Sequence, residues 1–323
     1  MPGARQIELW DLAGEIFPNK PTGAKSTKKE RITMTPRKPM RRLRTTRISD
    51  VVTFRICTQS YEWSRRRPQP PSEFEVIGNV THALAAGGNS EEVLQYAERQ
   101  LEEVAPKERP AIQAKIIELV KTNERMIDDE VTEDNQELQL VWEDLDENLP
   151  EWLRSQVRTP ATGIKIYAKP DELFFFEDAI NQQVMQITDI KTGYRVQRRH
   201  KDELFLFGLI ASLAKEYYQS IRLVVRMLGS QTEEVFWYSP KLTARCLDEL
   251  RDTIRQMMAV REEGLFEART GGHCRGCKFA SICPENQEWL EKHGRLPAST
   301  PRLSAVATEV SDAPEDRLEL RSA

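Results

Sequence analysis

The chain has 323 residues, 39% of them hydrophobic, which is enough apolar material to bury the core of one large domain or two ordinary ones. Charged residues make up 30%, mean hydropathy is -0.58, and no apolar run approaches the roughly 18 residues a membrane span needs, which argues against a membrane protein. The net charge of -4 hides an asymmetry: Lys20 to Arg67 holds 15 Lys or Arg against 3 acids, and Glu91 to Glu147 holds 18 acids against 6 bases. A basic block suits a nucleic-acid contact or a disordered solubilising arm, whereas an acidic helical block suits a solvated face.

Residues 1–46, rich in Lys, Arg, Pro and Thr without an apolar period, read as a basic, mostly disordered extension. Met1 to Trp10 shows no secretory signal, so a cytoplasmic protein is expected. Ser49 is placed to cap a helix running to about Arg65, with Cys57 inside it, before the breaker run Pro68 to Pro71. Helices are expected from about Ile77 to Ala86, Glu91 to Val104, Pro110 to Glu130 and Gln136 to Val157. The period then changes. Gly163 to Ala168, Glu172 to Glu177 and Val184 to Lys191 are short and rich in Ile, Phe, Val and Tyr, as strands are. A helix from Lys201 to Gln219, strands at Ile221 to Met227 and Glu234 to Tyr238, and a helix from Pro240 to Val260 complete the main domain, 47–290. The remainder, 291–323, reads as a disordered tail, and the whole as an α+β plan.

Five cysteines in a long chain without a signal argue for metal chemistry over a disulfide framework. Cys274, Cys277 and Cys283 stand as Cys-x2-Cys-x5-Cys, three thiolates on one loop that need a fourth ligand for a closed site. Cys57, Cys246 and His273 are the choices. Cys246 lies in an ordinary helical run and reads as a small buried hydrophobe, so Cys57 is preferred, which would tie the two ends of the domain together. Spacing alone does not separate zinc from a 4Fe-4S cluster.

Asp189 and Lys191 end a predicted strand two residues apart and share one face. A carboxylate there suits a divalent cation, and an ammonium suits charge building on a phosphate. If the two strands on either side of Ile180 form a hairpin, opposed residue numbers sum to about 360 and Asp171 faces Asp189. The rival Asp178 would then lie about seven residues, roughly 23 Å, along the strand. His82, in Gly78-Asn79-Val80-Thr81-His82, is a third ligand to weigh against an ordinary surface histidine.

Taken in order, Cys57, Gly78 to His82, Lys169-Pro170-Asp171-Glu172, Asp189-Ile190-Lys191-Thr192-Gly193 and the Cys274, Cys277, Cys283 loop resemble the PD-(D/E)XK nuclease superfamily. More narrowly they are similar to its RecB-like branch with a C-terminal iron-sulfur cluster, which includes the CRISPR-associated exonuclease and the AddB nuclease domain. The resemblance implies a restriction-endonuclease-like core sheet flanked by helices, with an inserted helical region and a 4Fe-4S cysteine loop. It implies Mg2+ or Mn2+ held by His82, Asp171, Asp189 and the carbonyl of Ile190, a catalytic Lys191, and a cluster on Cys57, Cys274, Cys277 and Cys283. The function it implies is a metal-dependent DNA nuclease, an exonuclease, in DNA repair, recombination or CRISPR adaptation. Its partners would be DNA with a single-stranded end and either a separate helicase or CRISPR-adaptation proteins. The chain departs from the pattern in two places: Glu203 and Phe207, expected either to contact DNA or to support the metal ligands, stand where the branch has Gln-x-x-x-Tyr on the following helix, and Ala168 stands where it has Gly. A catalytically weak DNA-binding subunit is the alternative those departures favour.

Overall fold

The computed structural model describes residues 43–66, 71–87, 91–126, 139–177, 182–214, 220–280 and 282–294. The first described segment opens with strand β1 (Thr45–Arg47), followed by helices α1 (Ile48–Ile56) and α2 (Thr58–Arg66). Thr46 and Leu43 are buried. The single helix expected from Ser49 to Arg65 is two. Arg47 occupies the cap position, and Cys57 lies between the helices in extended backbone (φ -157°, ψ 115°), its N–H closing on Thr53 O and its carbonyl accepting Tyr61 N–H.

Three helices follow, α3 (Glu73–Gly87), α4 (Glu91–Glu102) and α5 (Arg109–Met126). They bury their own apolar cluster, with Val76, Ile77 and Val80 of α3 packed with Ile112, Ile116 and Leu119 of α5 and with Ile190 and Leu228. The last two residues anchor the helical layer to the end of the main sheet, which sets where α3 stands. The stretch from Gln136 to Val157, expected as one helix, holds strand β2 (Leu140–Glu143), a 3-10 turn (Asp146–Asn148) and the short helix α6 (Glu151–Arg154). Leu140 and Trp142 are buried while Val141 and Glu143 are exposed, a period of two that the sequence carries but that its flanking acids obscure.

Strand β3 (Lys165–Ala168) pairs in parallel with β1 and antiparallel with β2, giving a small sheet of order β1-β3-β2. The main sheet has order β4-β5-β6-β7, built from β4 (Glu172–Glu177), β5 (Gln183–Lys191), β6 (Ser220–Met227) and β7 (Thr232–Tyr238). β4 and β5 are antiparallel in the register Glu172 to Thr188 and Leu173 to Ile187, the expected sum of 360. β5 and β6 run parallel, and helix α7 (Arg198–Ala214) makes the crossover that a parallel pair requires. Every residue of β5 from Val184 to Ile190 is buried, as in a strand covered on both faces. Met185 and Ile187 face the core they share with Leu204, Phe207 and Ile210 of α7, whereas Ile190 joins the α3–α5 cluster.

Helix α8 (Thr243–Glu263) closes the core and stops at Gly264, whose φ of 69° is the left-handed region where glycine carries no steric penalty. Arg251 of α8 is buried with Asp144, which it meets through Nη2 at 2.7 Å, and also reaches Asp146. Helix α9 (Pro284–His293) is followed by Gly294, the last described residue. The basic extension before Leu43 and the tail beyond Gly294 lie outside the described residues, as do Asp178 and Ile180. No described helix is long and apolar enough to cross a membrane.

Candidate active site and cysteine centre

Four elements deliver the acidic site. Asp171 sits one residue ahead of β4, and continuing the ladder sets it opposite Asp189 on β5. Its Oδ2 accepts the backbone N–H of Ile190 at 2.7 Å, while Oδ1 lies 2.7 Å from His82 Nδ1 on α3. Asp189 Oδ1 accepts from Lys191 Nζ at 2.7 Å, and the same ammonium lies 3.7 Å from Glu203 Oε2 on α7. The structure therefore brings His82, Asp171, Asp189, Lys191 and Glu203 to one end of the sheet. It does not bring Phe207 to the surface: one turn beyond Glu203, its ring is 4% exposed and packed in the main core, so a DNA contact there is corrected to a packing role.

The electrostatics follow from crowding four charges beside one another. Burial pushes the Asp189 carboxyl up to about 7, Glu203 and Asp171 adding to the shift and Lys191 opposing it. Burial alone would depress Lys191, but the charges of Asp189, Glu203 and Asp171 outweigh it and raise the ammonium. For His82 burial is likewise overridden, by the Asp171 carboxylate, and the net shift is upward; Asp171 moves downward because His82, Lys191 and the Ile190 N–H outweigh its burial. The other oxygen of Asp189, Oδ2, is buried and has no hydrogen-bond partner. An orphaned carboxylate oxygen in a buried site is the atom a cation would satisfy.

Among the described residues no three His, Cys, Asp or Glu side chains form a ready-made metal cage. In the acidic site Lys191 Nζ pairs with Asp189 Oδ1 and His82 Nδ1 with Asp171 Oδ1, which leaves Asp189 Oδ2 as the carboxylate oxygen open to a cation. The donor set of two carboxylates and one imidazole otherwise suits Mg2+ or Mn2+.

A second ionic group supports the first and was missed from sequence. Arg226 of β6, buried, donates from Nη1 to both oxygens of Glu172 at 3.0 and 2.9 Å and to Asn123 Oδ1 of α5 at 3.1 Å, and from Nε to Glu233 of β7 at 2.6 Å. It locks the start of β4, immediately beside Asp171, to the helical layer. The signal was two arginines inside an otherwise apolar strand, Ile221-Arg222-Leu223-Val224-Val225-Arg226.

The cysteine loop meets the N-terminal helices at several points. Thr58 donates to Glu267 O at 2.6 Å, Arg269 donates to Arg55 O at 2.8 Å, and Trp63 packs edge-on against Phe279 with centroids 5.4 Å apart. Trp63, Phe279 and Cys283 form a small core with Cys277 against it. Burial raises the thiols of Cys277 and of Cys283, the latter to about 11, and the Cys57 thiolate adds to both; Cys274 adds at Cys277. Burial works to raise Cys57, but its hydrogen bond with His273 and nearby backbone N–H groups carry it below the ordinary thiol value. His273 Nε2 also lies 2.8 Å from Arg269 O and 3.8 Å from Cys274 Sγ. Cys246 is buried in the main core on α8, its thiol pushed up to about 12 by burial and by Glu249.

The site is therefore two carboxylates set opposite each other and a lysine at the end of β5, in a mixed sheet. The chain belongs to the PD-(D/E)XK nuclease superfamily, whose family model matches residues 48–284. Nucleases of that superfamily generally use divalent metals such as Mg2+ or Mn2+. No curated protein matches the chain significantly. Among solved structures it is similar to a protein of Eubacterium rectale provisionally named an exonuclease (12% identity, TM-score 0.48, covering 82% of this chain and 94% of that one). It is also similar to SSO0001 (16% identity, TM-score 0.38, covering 75% of this chain and 86% of that one). Likenesses of that degree carry no argument about activity.

Proposed function

We propose that the chain is a metal-dependent deoxyribonuclease that hydrolyses phosphodiester bonds from a DNA end, with His82, Asp171, Asp189 and the carbonyl of Ile190 as metal ligands and Lys191 as the catalytic cation. The buried Oδ2 of Asp189, without a hydrogen-bond partner while Oδ1 of the same carboxylate accepts from Lys191, is the observation that carries this reading. A bound Mg2+ or Mn2+ supplies Lewis-acid polarisation of the phosphoryl oxygen and a more acidic attacking water. The chain's own part is to hold and to shield. Asp171 is fixed by the Ile190 N–H and His82, and Lys191 is retained between Asp189 and Glu203, where its ammonium can face the charge that develops on the phosphate. Glu203, 3.7 Å from the Lys191 ammonium, would help hold that ammonium in the site if Asp189 served as a metal ligand.

The same reading assigns Cys57, Cys274, Cys277 and Cys283 to a 4Fe-4S cluster of the RecB-like branch. The thiol donors and the Trp63, Phe279 packing around them support it, and the cluster's contribution would be to staple α1 and α2 to the C-terminal loop. The protein would act in the cytoplasm in DNA repair, recombination or CRISPR adaptation, beside a separate helicase or CRISPR-adaptation proteins. Cleavage of end-labelled single-stranded DNA in Mn2+, present in the wild type and abolished by Asp189→Ala, tests the activity. Cleavage that persists in Asp189→Ala contradicts the site, and no cleavage in anaerobically purified wild type contradicts the function.

A further inference from the structure

Immediately after the proposed catalytic lysine, the chain presents an aromatic ring to solvent. Tyr194 is 66% exposed, one of the most exposed large apolar side chains among the described residues, and it stands three residues beyond Lys191. Three residues span at most about 10 Å, so the ring stays close to the reacting group. Its loop does not hang free at the base. Leu228 N–H donates to Lys191 O at 2.8 Å and Gly229 N–H donates to Gly193 O at 3.1 Å, so the turn between β6 and β7 clamps the segment that leads into Tyr194. The clamp depends on glycine: a Cβ at Gly229 would lie 2.6 Å from Gly193 O. On the other side, Thr192 Oγ1 lies 3.9 Å from where a Cβ on Gly78 of α3 would stand, one turn before His82. The ring is thus carried at the margin of the group formed by His82, Asp171, Asp189 and Lys191. Arg195, Arg198 and Arg199, which follow it within five residues of the chain, are all exposed.

We propose that Tyr194 is a stacking platform for an unpaired base next to the scissile phosphate, so that the site selects single-stranded DNA ends. This rests on the nuclease reading above. An exposed aromatic ring beside arginines is the arrangement that holds single strands without reading sequence, because every base has a π-face and the cations follow the phosphates. In a duplex both faces of an internal base are already stacked, so the ring has nothing to accept until the end is opened.

Full-length wild type, Tyr194→Ala and Tyr194→Trp are compared on single-stranded DNA carrying 2-aminopurine at successive positions from one end, by fluorescence titration without divalent metal and by cleavage in Mn2+. Stacking predicts that wild type quenches the probe at one position, that Tyr194→Ala loses this quench and raises KM about tenfold with kcat little changed, and that Tyr194→Trp retains both. Active enzyme with the same KM and quench in Tyr194→Ala overturns the inference and leaves the nuclease reading standing. Tyr194-dependent quenching in a wild type that never cleaves does the reverse. A fall in kcat alone, or quenching by an RNA strand and not by DNA, also overturns the assignment.

Discussion

His82 and Asp171 are 89 residues apart in the chain and 2.7 Å apart in space, Nδ1 to Oδ1. The contact joins α3 of the helical layer to the lip of the main sheet, and it exists because Ile190 and Leu228 at the sheet end pack into the same cluster as Val76, Ile77 and Val80. A histidine with no distinctive sequence neighbours becomes part of the site through that packing.

If His82 is a ligand, His82→Ala should raise the Mn2+ concentration needed for half-maximal cleavage by about 10-fold to 100-fold, with the maximal rate less affected. A metal titration superimposable on the wild type would reduce His82 to a partner of Asp171.

Arg251 and Asp144 form a fully buried pair, at 1% and 0% side-chain exposure. Removing one partner leaves the other charge uncompensated in the core, so Arg251→Leu should cost about 3–5 kcal/mol in urea unfolding. The double variant Arg251→Leu, Asp144→Leu should recover part of the loss, since it leaves no lone charge. Additive losses in the double variant would show that the two residues are not coupled.

His200 supplies a pH dependence whose sign is fixed by its surroundings. It occupies the first turn of α7, its Nδ1 accepting the Gln197 N–H at 3.2 Å. Burial, followed by the charges of Lys191 and Arg199, holds its pKa down to about 3. In the unfolded chain a histidine protonates near 6.5, so between about 6.5 and about 3 the unfolded state binds the extra proton and stability falls as pH falls, by up to about 1.4 kcal/mol per unit. Above that window the residue contributes no pH dependence. His200→Asn keeps an acceptor for Gln197 and removes the titration, so its urea midpoint should decline less than the wild type's on acidification through that window. Parallel declines would show that His200 is free to protonate in the folded protein.

Cysteine assignment is tested by metal content. Anaerobically purified wild type should be brown with about four irons per chain, Cys57→Ser should lose iron and stability together, and Cys246→Ser should lose neither. Stoichiometric zinc in the wild type, or full iron in Cys57→Ser, would contradict a four-thiolate cluster that includes Cys57.

The strands and their register were legible because period-two apolar runs and short connections leave few alternatives; the β4 to β5 ladder runs as the position of Ile180 in the sequence implied. The region from Gln136 to Val157 was misread because charged residues between Leu140, Trp142 and Leu149 mimic a solvated helix, while the burial of Leu140 and Trp142 is decided by β3, some 25 residues on. Cys57 was placed inside a helix since nothing local signals the break; its extended backbone lies where Thr58 and Arg55 bond to Glu267 and Arg269, residues from the far end of the chain. Phe207 was read as a candidate DNA contact from its position in the family pattern, yet α7 is buried around most of its circumference from Leu204 to Ala211. The arginine inside the apolar strand β6 marked Arg226, but its partners and those of Gly229 come from other strands and turns and could not be named from sequence.

The account turns on Lys191 acting on the reaction and not on the fold. The direct measurement is single-turnover cleavage of single-stranded DNA in Mn2+ by Lys191→Ala, alongside its DNA affinity and urea midpoint. A rate lower by about 100-fold to 1000-fold, with affinity close to that of the wild type, is the predicted result, since the ammonium is needed most as charge builds on the phosphate. Near-normal turnover in a folded Lys191→Ala protein would contradict it.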